Sequence, residues 1–142
     1  MSTQFTYETT ILEHHLDTFG HVNNATYLEI YEEARWDFAT KNGYGFDRIK
    51  TEKVGPVIVE AHIHFRRELF NREKILIRSQ STGMINTFLM GMKQWIEKSD
   101  GEVASRVEIV VGLFDLEKRA LIKPTADWLS AVGETPSTTP KV

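Results

Sequence analysis

An α+β fold, one long helix backed by a run of antiparallel strands, is what this 142-residue sequence predicts. Three observations carry that expectation. A single amphipathic helix pattern lies in the first third of the chain, four strand patterns follow without another long helix, and glycines or an Asp-Gly pair separate them. A curved sheet wrapped around one central helix gives each apolar face a partner.

The elements follow in order. Phe5, Tyr7, Thr9 and Ile11 alternate with Thr6, Glu8 and Thr10, which is the period of a first strand. The helix is expected from about Ala25 to Lys41, because Tyr27, Ile30, Tyr31, Ala34 and Phe38 fall on one face, with Leu28 and Trp36 broadening it. Asn23 or Asn24 serves as its N-cap, and Asn42-Gly43 ends it with glycine at the left-handed capping position. In a second strand Val57, Val59, Ala61, Ile63 and Phe65 alternate with Ile58, Glu60, His62, His64 and Arg66. A third runs from about Lys74 to Ser81 and is closed by Gly83. A fourth, Thr87 to Glu97, turns through Ser99-Asp100-Gly101 into a fifth, Glu102 to Asp115, with Val103, Val107, Ile109, Val111 and Leu113 on one face. Pro124 opens a short helix through Trp128 and Leu129. Residues 1–133 thus form one domain and residues 134–142 a frayed tail.

Composition narrows the function classes. Lys+Arg 17 against Asp+Glu 20 gives no basic field, so no nucleic-acid partner is expected. The absence of cysteine removes thiol nucleophiles, disulfides and Cys-ligated metals together. No apolar run reaches membrane-spanning length, and the first ten residues alternate rather than forming a signal peptide. No membrane partner is expected, and the location expected is cytoplasmic. There is no nucleophile elbow, P-loop or dinucleotide glycine pattern.

The stretch Asp17-Thr18-Phe19-Gly20-His21-Val22-Asn23-Asn24-Ala25-Thr26-Tyr27 carries the most chemistry. It sets a carboxylate before a glycine bend and a polar helix start. The first N–H groups of a helix have no internal partner, and with the helix dipole they can bind a developing negative charge. An acid or base beside such an oxyanion site is what acyl transfer to water requires. Read locally, Asp17 also serves as an ordinary turn or capping aspartate, and a glycine bend followed by an N-cap is needed for structure in either case.

This stretch resembles the D-x-x-G-H-V-N-N-x-x-Y-L segment of the hotdog-fold acyl-CoA thioesterases, the group that includes 4-hydroxybenzoyl-CoA thioesterase. The likeness continues through Glu32-Glu33-Ala34-Arg35, Pro56-Val57-Ile58-Val59-Glu60-Ala61 and Phe65-Arg66-Arg67, and covers about residues 4–132. The resemblance implies a hotdog fold and hydrolysis of an acyl-CoA to a free acid and CoA, with no metal and no other cofactor. It makes Asp17 the general base, or a nucleophile through a mixed anhydride. Gly20 would let the backbone approach the thioester, and the Asn24 backbone N–H would hold the oxyanion. His21 would bond Asp17, orient the helix start or touch substrate. Arg66 and Arg67 would meet the phosphates of coenzyme A, although a solvated strand end reads as well. Tyr27 joins them as a substrate contact, while its spacing on the apolar helix face equally suits the core. It also implies a site at a dimer interface, with a homotetramer expected and a dimer the alternative.

Two departures stand out. Many members carry a second aspartate where this chain has His15, so His15 is a candidate to tune Asp17. Many also carry glycine before the acidic residue that opens the third strand, where this chain has Arg72-Glu73. Glu60, His62 and His64 share a strand face at metal-ligand spacing, though solvent or a subunit interface suits that face better. Phe88, Met90 and Met92 either line an acyl pocket or fill the core. Other readings are an acyl-carrier-protein thioesterase, a hotdog hydratase or dehydratase with His21 as base, and a non-catalytic acyl-CoA-binding module.

Overall fold

The structure, a computed structural model, describes residues 2–134. Along the chain run β1 (Gln4–Thr10), a 3-10 turn (Glu13–His15), α1 (Asn24–Lys41), α2 (Phe46–Glu52), β2 (Val54–Phe65), β3 (Lys74–Met84), β4 (Leu89–Glu97), β5 (Val103–Asp115), β6 (Ala120–Ile122) and α3 (Ala126–Ala131). The strands form one antiparallel sheet in the order β1-β3-β4-β5-β2, with β6 pairing with β5 beyond the point where β4 begins. Both β1 and β2 are therefore edges.

Helix α1 lies across the inner face of this sheet. Tyr27, Ile30, Tyr31, Ala34 and Phe38 are all buried, as their spacing predicts. They meet Ile75 and Ile77 of β3, Met90, Met92 and Ile96 of β4, and Val107, Ile109, Val111 and Leu113 of β5 in one core. The helix favours the β1–β3 side, where Phe5 stacks on Phe38 at 4.4 Å. Leu28 and Trp36 do not broaden the buried face; they remain exposed on the flank toward β2.

That flank is the unusual part of the molecule. A bulge at Val59 breaks the two-residue alternation of β2. Ile58 consequently joins Ala61, Ile63 and Phe65 on the inner face, while Glu60, His62 and His64 point outward. The alternation read from sequence had put Ile58 with the histidines. Ile58 is 43% exposed, Phe65 50% and Ala61 exposed between them, while Ile63 packs against the core, so the inner face of this edge strand is apolar and largely uncovered.

Other differences have local causes. The segment Phe46–Glu52 is helical because Ile49 packs against Gly55, a tertiary contact that seven residues cannot signal alone. Strand β3 passes Ser81 through a bulge before Gly83 and continues to Met84. Strand β4 begins only at Leu89, since the Asn86 side chain accepts from the N–H groups of Phe88 and Leu89 and holds them in a turn. Arg72 occupies the left-handed region at φ 64°, the conformation a glycine would take there, and its guanidinium grips Glu13 at 2.7 Å. Glu134, where a frayed tail was expected to begin, bridges to Ser2; the remainder of that segment lies outside the described residues.

Candidate active site

The loop between β1 and α1 is built around Asp17. Its backbone N–H donates to the His21 carbonyl (2.9 Å), Gly20 donates back to the Asp17 carbonyl (3.0 Å), and Leu16 bridges to Val22. Carboxylate Oδ1 accepts from the N–H of Phe19 at 2.9 Å and of His21 at 3.4 Å. Gly20 supplies the positive φ of 78° that closes the turn, with open space beside it. The turn role of Asp17 is thus real, and it uses one carboxylate oxygen. Oδ2 has no hydrogen bond among the described residues.

Helix α1 then begins. Asn23 is the N-cap, its side chain accepting from Ala25 N–H at 2.9 Å. Thr26 and Tyr27 donate to the Asn23 carbonyl, which leaves Asn24 N–H without an acceptor among the described residues. A donor at the positive end of an 18-residue helix is therefore presented to solvent.

Asp17, His21, Asn24, Tyr27, Arg66 and Arg67 line one open cleft of about 360 Å³, together with Phe65 and Glu68. The structure thus gathers residues that lie some fifty positions apart in sequence. Tyr27 is buried, donates to the Arg67 carbonyl at 3.4 Å and meets the Phe65 ring edge-on at 5.0 Å, so it is core and cleft wall at once. Burial, and then Glu68 and Glu73, push its phenol up. Arg67 is tied to Glu102 at 3.2 Å, whereas Arg66 makes no ion pair among the described residues. The arginine open to an incoming anion is Arg66.

Glu68 escaped sequence reasoning. Its carboxylate lies 3.4 Å from His21 Nε2, giving the histidine a carboxylate partner from the chain beyond β2. A separation of 47 residues leaves no local signal for that pair. His15 is occupied elsewhere: its Nδ1 accepts from Leu12 N–H at 2.9 Å and its ring packs on His14. Burial, then the neighbouring His14, hold the His15 imidazole below the ordinary value. On the outer face, His62 and His64 stack at 4.7 Å, but among the described residues no three metal-ligating side chains come together there or elsewhere.

A second concavity lies along the same seam between α1 and β2, toward the C-terminal half of the helix. It is a cavity of about 90 Å³ walled by Trp36, Pro56, Ile58, Met90, Met92 and Trp128, with Arg35 in its lining. Met90 and Met92 thus both fill the core and face a cavity, while Phe88 stays in the exposed turn.

Residues 12–135 match the model of the Thioesterase-like superfamily. The chain belongs to that family. Over 67 residues it is 40% identical to the long-chain acyl-CoA thioesterase FadM of Escherichia coli, an alignment that covers 47% of this chain and 50% of FadM. The chain spans about half the length of that curated relative. The structure of a probable thioesterase of Escherichia coli, YbaW, superposes with a TM-score of 0.77 at 26% identity, covering 91% of this chain and 96% of the other. A hypothetical protein of Staphylococcus aureus, solved in complex with CoA, superposes at 0.81 with 16% identity over 99% of this chain and 92% of its own. The curved antiparallel sheet around a helix is accordingly the hotdog fold. Among the described residues no helix is long and apolar enough to cross a membrane.

Proposed function

We propose that the protein is an acyl-CoA thioesterase of the cytoplasm. One observation carries the reading: an unpartnered N–H at the start of α1 opens into the same cleft as a carboxylate with one oxygen free. Asp17 Oδ2 takes a proton from a water whose oxygen attacks the thioester carbon, or attacks that carbon itself to give a mixed anhydride that water then hydrolyses. The carbonyl oxygen becomes an oxyanion held by Asn24 N–H and the helix dipole, and the CoA thiolate leaves. Arg66 meets a phosphate of the CoA nucleotide. No metal or redox group is needed for these steps. Family membership and the FadM and YbaW likenesses support this reading.

The working unit we propose is a homo-oligomer, a tetramer assembled from dimers. Strand β2 offers a twelve-residue edge with unpaired backbone groups, and its inner face is apolar and largely bare. Pairing of two such edges would satisfy both. The His21–Glu68 pair favours a second reading, a hydratase or dehydratase with His21 as base, which hydration of an enoyl-CoA would reveal.

Asp17→Asn tests the first reading. Asparagine keeps the Oδ1 bonds of the turn and removes the basic oxygen, so kcat should fall by roughly 10²–10⁴-fold with the melting temperature nearly unchanged. Full thioester hydrolysis by a folded Asp17→Asn protein would overturn it.

A further inference from the structure

Arg35 is a charged side chain that the proposed chemistry does not use. It sits largely buried in α1, and its Nη1 donates to Gln94 Oε1 at 2.8 Å. Gln94 is itself 1% exposed and fixed from below: its Nε2 donates to the Tyr31 carbonyl (3.1 Å) and to Ser79 Oγ (2.9 Å). Ser79 is equally sealed. The guanidinium is thus anchored on one side by a rigid polar chain. Among the described residues neither Nε nor Nη2 has an acceptor, and no carboxylate pairs with the group. Glu32, one turn earlier, is exposed and lines the same cavity; it acts on the guanidinium through space but does not bond it.

Arginine cannot relieve this by losing its proton. A buried cation with open donors is costly unless something supplies the acceptors. The apolar cavity that Arg35 lines is where such an acceptor would come from. The cavity's 90 Å³ is far below the roughly 300–1,000 Å³ of a complete small-molecule site, so it suits the end of a chain. Both concavities lie between α1 and β2. Asn24 and Phe65 line the Asp17 cleft, and Glu32, Arg35 and Ile58 line the cavity. Arg35 stands about 16 Å along the helix axis from Asn24, and we call the α1–β2 boundary between them the seam.

Building on the thioesterase reading, we infer that the seam holds the acyl chain and that Arg35 selects acyl groups whose far end carries an oxygen acceptor, an ω-carboxylate above a neutral carbonyl. The apolar walls desolvate the chain, and the planar guanidinium offers its two open donors to the terminal oxygens.

The test compares three CoA thioesters of one chain length by release of free thiol: dodecanoyl-CoA, its (ω−1)-oxo analogue, and the dodecanedioyl monothioester. In the wild type kcat/KM should rank carboxylate, then oxo, then plain chain. Arg35→Met should lower the carboxylate-to-plain ratio by roughly 10–100-fold, the value of a charge-assisted hydrogen bond. Should that variant fail to fold, Arg35→Lys serves, since it keeps charge without the fork and must lower the ratio in part. A wild type that prefers the plain chain, or a ratio that Arg35 variants leave unmoved, overturns the inference. Inactivity on all three thioesters would instead defeat the thioesterase reading. Calorimetric binding of free dodecanedioate against dodecanoate, in wild type and Arg35 variants, would then decide Arg35 separately.

Discussion

At the start of α1, Asn24 N–H and the free Asp17 oxygen face an open polar cleft; eleven residues later, Arg35 faces a smaller, mainly apolar cavity with Gln94 and Ser79 sealed beneath it. The two ends are joined by one helix and one largely bare strand face, yet they solve different problems. The first end uses backbone: an N-cap frees a donor, a glycine turn aims a carboxylate, and few side-chain contacts are at stake. The second end uses buried side chains that hold one another in place. Damage at the first should appear in rate and leave stability alone, while damage at the second should appear in stability first.

Gln94→Leu breaks the second end most severely. Leucine fits the volume but strands the Arg35 guanidinium and the Ser79 hydroxyl without partners. Losing the acceptor of a buried charge costs about 3 kcal/mol, so chemical denaturation should show a loss of that order. A loss below about 1 kcal/mol would mean that water replaces the glutamine and that the cavity is wetter than its lining suggests.

The seam between the ends is sharpened by Ala61→Lys. Ala61 is exposed in the protomer and faces inward at mid-β2, so a lysine there leaves the fold intact while placing charge on the proposed pairing surface. Light scattering at micromolar concentration should show a dimer or tetramer for the wild type and a smaller species for the variant. A stable, active wild-type monomer would detach the site from any interface.

Charges away from both ends should matter least. Arg78 donates to Glu97 at 2.7 Å and holds its carboxyl below the ordinary value of 4.5, with Trp95 adding a second bond. A lowered folded value means that the contribution is complete above 4.5 and is lost as pH falls through the folded value. The pair is partly exposed, so Glu97→Gln should cost no more than about 1 kcal/mol near neutrality and flatten the acid side of a melting-temperature profile.

The first end of α1 was largely legible in the sequence, because its signals are local. An aspartate, a glycine, an asparagine cap and a helical apolar period lie within a dozen residues and need nothing distant to be recognised. The buried helix face and the run of strands after it followed from the same kind of periodicity. The seam was not legible. A bulge at Val59 is invisible to a two-residue alternation, and it alone decides which face Ile58 takes. Leu28 and Trp36 read as core because their spacing cannot say that the helix leans toward β1 and β3. Glu68 finds His21, and Gln94 finds Arg35, only through tertiary structure. A charged residue inside a polar helical stretch gives no sign that it will be buried.

The most direct test of the central claim removes the donor itself. Asn24 is the first residue of α1, and Asn23 before it has φ −65° and ψ 146°, the extended geometry that a following proline requires. Asn24→Pro therefore deletes the one N–H assigned to the oxyanion while keeping the helix start. Assayed for acyl-CoA hydrolysis beside a thermal melt, the variant should lose roughly 10²–10³-fold in kcat with its melting temperature almost unchanged. A folded Asn24→Pro protein that hydrolyses acyl-CoA at the wild-type rate would contradict the account.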